Sequence, residues 1–180
     1  MNSALRLLFF LFFLSHIPIT LLVDGQALFG SYYPDSLRQV YAWYTASYKD
    51  VLMDHDLTPS WARGLMCCEV FFQLPFFVYA SFMILNRNEG LRLPGIVYGA
   101  HTATTLVPIL IYIWTFPEHS APFPNQSDKL ILFMFYLPYL VVPMAFCIYC
   151  LLNERLFKEN KDEELSPISR QNATIKAKLY

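Results

Sequence analysis

Two carboxylates stand where the sequence is otherwise apolar. Glu69 lies inside Gly64-Leu-Met-Cys-Cys-Glu-Val-Phe-Phe-Gln-Leu-Pro-Phe-Phe-Val-Tyr79, and Asp24 closes an apolar run that begins near Ala4. An ionisable side chain at membrane depth is costly, so such residues face a bundle interior and mark a function. Two carboxyls brought close together cannot both ionise cheaply. One keeps a proton and hydrogen-bonds the other, leaving about one negative charge for a cationic partner. Their positions along the chain predict that Asp24, nearer the water, is ionised and that Glu69, deeper, is protonated.

Other polar residues gather by helical period. His16, Thr20 and Asp24 are spaced i, i+4, i+8, while Glu69 and Gln73 are i, i+4. His101, Thr104, Thr105 and Pro108 follow the same period, as nearly do Tyr136, Tyr139 and Pro143. Hydroxyls and imidazoles in such stripes can simply join helices in a bilayer. Carboxyls are a poor choice for that purpose, because Ser or Asn would do it at a smaller desolvation cost. Pro18, Pro75, Pro108, Pro138 and Pro143 each remove a backbone hydrogen bond inside an apolar run, which is tolerated where a cavity or polar neighbours satisfy the freed carbonyls. Inward stripes on proline-interrupted helices predict an enclosed pocket. Walls drawn from Phe71, Phe72, Phe76, Leu106, Tyr136 and Tyr139 would suit a rigid apolar molecule such as a sterol, or an amphiphilic amine.

The elements that must position these residues are membrane spans. Hydrophobic residues make up 56% of the chain against 15% charged, and the mean hydropathy is +0.36, which excludes an ordinary soluble domain. Four segments are long enough to cross about 30 Å of hydrocarbon: residues 4–23, 64–85, 93–116 and 130–152. They form one membrane domain over residues 4–153, followed by a charged tail, 154–180, expected to be disordered. The first segment resembles a secretory signal, but no A-x-A-like site follows it, so it is expected to remain as a span. Basic residues in the tail and at Arg87 and Arg92 place both termini in the cytosol, which makes the loops 24–63 and 117–128 lumenal. Within the longer loop, Leu37, Val40, Tyr41 and Tyr44 follow a Pro-Asp-Ser start signal at i, i+3, i+4, i+7 and predict a short amphipathic helix over the mouth of the bundle. The fold expected is therefore all-α: an integral membrane four-helix bundle with an enclosed ligand pocket and a helix-bearing lumenal loop.

Several other groups carry no site. Asp50, Asp54, His55 and Asp56 match no metal-ligand spacing, and Cys67, Cys68, Cys147 and Cys150 lie in apolar helix as small hydrophobes. No cofactor, metal or nucleic-acid partner is expected.

Four stretches resemble the EXPERA family, which includes the emopamil-binding sterol isomerase: Phe13-Leu-Ser-His-Ile-Pro-Ile-Thr-Leu-Leu-Val-Asp24, Cys68-Glu-Val-Phe-Phe-Gln-Leu-Pro-Phe-Phe77, His101-Thr-Ala-Thr-Thr-Leu-Val-Pro-Ile-Leu110 and Tyr136-Leu-Pro-Tyr139. The resemblance covers all four spans in order. It implies a compact, commonly dimeric bundle in the endoplasmic reticulum and the adjoining nuclear envelope. It also implies a receptor-like pocket for sterols, oxysterols and cationic amphiphiles, with a role in cholesterol homeostasis and trafficking that includes the Niemann-Pick C1 cholesterol transporter. Carried over by motif, Asp24 would meet a ligand amine and Glu69 would hydrogen-bond it. Gln73, Thr105 and Tyr139 would line the pocket, with His16, His101 and Tyr136 in support and Asp50 holding the lumenal loop. The rival reading is a sterol double-bond isomerase that uses Glu69, Asp24 and His101 as acid and base. The isomerase branch places a His four residues before the Glu, whereas position 65 is Leu, so no enzyme is expected. A carrier or channel has less support, because the polar stripes are short.

Two short signals bear on location. Lys176 and Lys178 stand fifth and third from the end, as in a cytosolic dilysine retrieval signal. Asn125-Gln-Ser and Asn172-Ala-Thr are glycosylation sequons, the first close to the membrane and the second in the cytosolic tail, so neither is expected to carry glycan.

Overall fold

A computed structural model of the chain describes residues 1–54, 57–117 and 125–157. His55, Asp56, Asn172, Lys176 and Lys178 lie outside the described residues. Four helical stretches are long and apolar enough to cross a membrane: Ser3–Tyr32, Ser60–Leu85, Glu89–Thr115 and Gln126–Leu152. The first of these, at 30 residues, is about 45 Å long by the α-helical rise and so stands out of the hydrocarbon at one end. No strand occurs among the described residues. The four-span, all-helical architecture read from the hydropathy pattern is the one observed.

Span one comprises α1 (Ser3–Ile19), a π-helical turn (Thr20–Asp24) and α2 (Gly25–Phe29), ending in a single 3-10 turn at Gly30–Tyr32. The loop helix α3 (Asp35–Tyr48) follows. Span two comprises α4 (Ser60–Cys68), a second π-helical turn (Glu69–Gln73) and α5 (Leu74–Leu85). Span three is α6 (Arg92–Thr115), entered through the 3-10 turn Glu89–Leu91, and span four is α7 (Gln126–Leu152).

The prolines explain part of this pattern. Pro75 follows the second π-turn, and its missing N–H leaves Phe71 O, inside that turn, without its helical partner, which favours a wider turn; Pro18 precedes the first, but the carbonyl that it frees, Leu14 O, lies in α1. Two carbonyls of the first π-turn are taken by side chains instead. The Tyr33 hydroxyl donates to Leu21 O at 2.8 Å, and the Gln26 amide donates to Leu22 O and, at 3.0 Å, to Leu37 O, which ties α3 to span one. The expectation that a proline would open every span needs correction. Pro108, Pro138 and Pro143 sit within unbroken α-helices, because each removes one i→i−4 bond while the flanking turns continue the helix; Pro108 and Pro138 face outward and Pro143 is packed against α6.

α6 and α7 form the most extensive helix pair in the bundle, and α1 and α5 the next. Glycines on α6 permit the first. A Cβ on Gly99 would lie 2.6 Å from the Pro143 carbonyl and 2.7 Å from Cys147 Cβ, and one on Gly95 would lie 2.8 Å from the Phe146 ring. Small residues of this kind let helix backbones approach where no hydrophobic force drives them together in lipid. Aromatic rings fill the end of the bundle near the termini, where Phe9, Phe13, Phe77, Tyr98 and Phe146 are buried together. A second cluster, with Tyr44, Val51, Leu52, Met66, Ile113 and Leu132, packs α3 and its following loop against spans two to four. Outward, Leu7, Leu11, Phe82, Val97, Ile111 and Leu151 are exposed, as residues facing lipid chains should be.

Polar stitches close both ends. Near the termini, the Glu89 carboxylate accepts from Leu156 N at 2.6 Å and Phe157 N at 2.9 Å, and Arg92 Nε donates to the Cys150 and Asn153 carbonyls. At the opposite end, Lys129 donates to Trp114 O at 3.0 Å and Lys49 pairs with Asp128 at 2.9 Å.

Two predictions follow from this packing. Gly99→Ala has to push against a backbone carbonyl, at a cost of roughly 1–3 kcal/mol, and lowers the melting temperature of the detergent-solubilised protein by several degrees. Gly64→Ala, where a Cβ meets nothing within 4 Å, leaves it unchanged. Asn125 caps α7 by accepting from Asp128 N at 3.0 Å, so its sequon runs straight into the first helical turn at the membrane. Treatment with an N-glycosidase therefore leaves the electrophoretic mobility unchanged.

Candidate functional site

The two π-turns pack against each other across the bundle, and the chemistry concentrates there. Asp24 ends the first turn and Glu69 begins the second; their carboxyls hydrogen-bond each other, and the Thr20 hydroxyl donates to Glu69 Oε1 at 3.1 Å. Thr20 is fully buried and Asp24 nearly so. Neither carboxyl meets a cation among the described residues. A carboxylic acid can accept from a hydroxyl through one oxygen while sharing its proton with a second carboxylate through the other. Two carboxyls held this close cannot both ionise cheaply, so the arrangement suits one shared proton and one negative charge.

This pair borders an internal cavity of about 80 Å³, several times the space that one water needs. Span one contributes Phe12, His16, Ile19, Val23 and Asp24 to its wall, and span two Leu65, Glu69 and Gln73. Span three adds Tyr98, Thr102, Thr105, Leu106 and Ile109, span four adds Phe135, Tyr136 and Tyr139, and Tyr44 closes it from α3. A second polar line runs along spans two and three: Thr102 Oγ1 donates to Gln73 Oε1 at 3.2 Å, Thr105 Oγ1 donates to Thr102 O at 3.0 Å, and Tyr98 hydrogen-bonds Thr102. The remaining wall is aromatic and aliphatic.

Asp50 stands behind the wall rather than in it. It is 1% exposed, accepts from the Tyr44 hydroxyl at 2.7 Å and the Tyr136 hydroxyl at 2.8 Å, and through its other oxygen accepts from Leu52 N at 2.9 Å. Both tyrosines line the cavity, so one carboxyl fixes the loop helix, the loop turn and span four in register. Burial pushes the Asp50 carboxyl up from its ordinary value, and the two hydroxyls and the backbone amides partly counter it.

Of the residues singled out from the sequence, the fold brings Asp24, Glu69, Gln73, Thr105, Tyr139, His16 and Tyr136 to one cavity. His101 is not among its wall residues, and Thr104 is exposed and bonds the Ala100 carbonyl of its own helix. The cavity face of span three is instead Tyr98, Thr102, Thr105 and Ile109, because Gly95 and Gly99 commit a neighbouring face of α6 to α7. The proposed walls also need correction: Phe71 and Phe72 are 61% and 71% exposed and face outward, since the second π-turn rotates them away, and Phe76 packs on Tyr98 in the aromatic cluster. Tyr44, Tyr98 and Thr102 were missed. The Gly95-xxx-Gly99 spacing was a usable signal for the last two, because it fixes which face of α6 is spent on a helix.

The family model for EXPERA, the expanded EBP superfamily, matches residues 36–150. The chain belongs to the EXPERA family. Among its relatives, sigma intracellular receptor 2 of Xenopus tropicalis is 41% identical over 162 residues, covering 87% of this chain and 94% of that one. Sigma intracellular receptor 2 of Homo sapiens is 38% identical over 149 residues, with 78% and 84% covered. Efficient mitochondria targeting-associated protein 19 of Schizosaccharomyces pombe is 28% identical over 147 residues, with 78% and 72% covered. The vertebrate relatives carry the names of receptors rather than enzymes, and the chain is a multi-pass EXPERA protein. Leu65, where the isomerase branch would place its His, is part of the apolar wall.

The Asp50 hub gives a signed pH prediction. Asp50→Asn puts an amide donor against either the tyrosine hydroxyls or Leu52 N, and costs roughly 1–3 kcal/mol, read as a lower melting temperature. In the folded protein the wild-type carboxyl holds its proton to higher pH than in the unfolded chain. Its favourable share is therefore complete below the ordinary Asp value and is lost as pH rises through the raised one. The melting-temperature gap between wild type and Asp50→Asn accordingly narrows from pH 4 towards pH 8.

Proposed function

We propose that the protein is an intracellular membrane receptor whose four spans enclose a site for cationic amphiphiles and sterols, including oxysterols. Asp24 serves as the counter-charge for a ligand ammonium and Glu69 as its hydrogen-bonding partner. The observation that carries the reading is the hydrogen-bonded carboxyl pair, free of any cation among the described residues, on the wall of a cavity otherwise lined by aromatic and aliphatic side chains. The structural carboxyl nearby, Asp50, is satisfied by two tyrosine hydroxyls and a backbone amide. Among the described residues this pair has the Thr20 hydroxyl, a backbone N–H at Asp24 and its own shared proton, with no cation, and so stands ready for one from outside. Gln73, Thr105, Tyr139 and Tyr136 shape the remainder of the site, and Asp50 holds its loop-side wall.

The family and the vertebrate relatives support the same reading, as does Leu65 in place of a catalytic base. Basic residues at Arg87 and Arg92 and in the tail support cytosolic termini, and Lys176 with Lys178 supports residence in the endoplasmic reticulum. A role in cholesterol homeostasis rests on the membership of the EXPERA family and on the receptor relatives.

Radioligand competition with a cationic amphiphile on wild type, Asp24→Asn and Glu69→Gln tests the proposal. Removing one partner of a desolvated charge pair costs at least about 2 kcal/mol, so Asp24→Asn weakens binding thirtyfold or more and Glu69→Gln weakens it less. Unchanged affinity in both variants would sink the pocket reading.

A further inference from the structure

A second polar point on the cavity wall has no partner. His16 is 5% exposed and borders the cavity one helical stretch away from Asp24. Its Nδ1–H donates to the Phe12 carbonyl of its own helix at 2.6 Å, which settles the tautomer and leaves Nε2 as the free edge of the ring, turned from the helix backbone. Nε2 is buried and makes no hydrogen bond. The ring is set among Phe12, Phe77 and Tyr139, at centroid distances of 4.0, 5.1 and 4.7 Å, and no carboxylate among the described residues is hydrogen-bonded or ion-paired to it. With Nδ1–H committed to a backbone carbonyl, Nε2 of the neutral imidazole is a pure acceptor, and burial among aromatic rings disfavours the charged form.

A buried acceptor left unmade carries a desolvation cost, and in a native structure it calls for an explanation. Here the explanation is a donor that arrives with the ligand. We propose that His16 Nε2 accepts a hydroxyl carried by the ligand at the end remote from its ammonium. The inference rests on the pocket reading above and adds a second recognition point to it. Asp24 follows His16 by eight residues, which is about 12 Å along the helix axis. The ligand class selected is therefore an amphiphile with a cation at one end, an apolar body that lies along α1, and a hydroxyl donor roughly 12 Å away. A second amine or an ether oxygen at that end is not favoured: the first would bury a charge without a counter-charge, and the second would set acceptor against acceptor.

The test uses three probes on the full-length protein in detergent: dimethyl(10-hydroxydecyl)amine, its methyl ether and dimethyldecylamine, each competing against a radiolabelled cationic amphiphile. The quantity read is each probe's affinity relative to the hydroxyl compound. In wild type the hydroxyl amine outbinds the ether. In His16→Phe, which keeps an aromatic ring but no acceptor, the preference for hydroxyl over hydrogen falls about fivefold, the ordinary weight of one hydrogen bond. In His16→Gln, whose amide oxygen reaches the Nε2 position, the preference persists, so a folding defect cannot imitate the result. An equal preference in wild type and His16→Phe, or equal binding of hydroxyl and ether in wild type, overturns the inference while leaving the carboxyl pocket intact. Failure of all three amines to compete in wild type removes the pocket reading and this inference with it.

Discussion

Everything at the centre of this bundle depends on a hydrogen bond between two carboxyls inside a membrane. Asp24 and Glu69 belong to different spans, and each sits in a turn where the α-helix widens. Lipid offers no water to satisfy such groups, so the carboxyls must find each other, and Thr20 must find Glu69, before the spans can close. The polar contact thus sets the relative height and rotation of spans one and two, a task that leucine side chains, as apolar as the lipid around them, cannot do. The cost of keeping the pair is a destabilised wall.

The widened turns carry consequences beyond the carboxyls. Carbonyls released by the first are taken by Tyr33 and Gln26, both from the segment that leads into the loop helix. Gln26 then reaches Leu37 O, and Tyr44 on the same helix reaches Asp50. The loop helix is therefore bound to the membrane bundle by polar groups at two places along its length. One of those contacts runs through the hydroxyl that closes the cavity. Its amphipathic period alone would have left its rotation over the bundle unspecified.

Much of this was legible in the sequence. Hydropathy located the spans, because the thickness of hydrocarbon sets their length. The cost of burying charge pointed to Asp24 and Glu69, and helical spacing led from them to His16, Thr20 and Gln73. What stayed hidden was phase. A stripe such as His101, Thr104, Thr105 and Pro108 names a face only if the helix is regular and its packing face is known. Gly95 and Gly99 turn α6 so that Tyr98 and Thr102 look inward while Thr104 and Pro108 look out. Likewise Phe71 and Phe72 read as pocket walls because nothing in the composition announces a π-turn. Pro75 hinted at one, but the same hint at Pro108 and Pro138 led nowhere, since a proline inside a long helix costs one backbone bond and does not by itself end or widen the helix.

The glycine contact between α6 and α7 divides the molecule mechanically. Two backbones that touch through Gly99 and the Pro143 carbonyl have no side-chain layer to yield between them, and so move as a single plank. The other pair carries both irregular turns and has aromatic rings between α1 and α5, which slide and tilt more readily than backbones in contact. The cavity lies along the seam between the plank and this softer pair. The wall is therefore divided between the two pairs: the carboxyls of Asp24 and Glu69 belong to the softer one, and the hydroxyls of Thr102 and Thr105 to the plank.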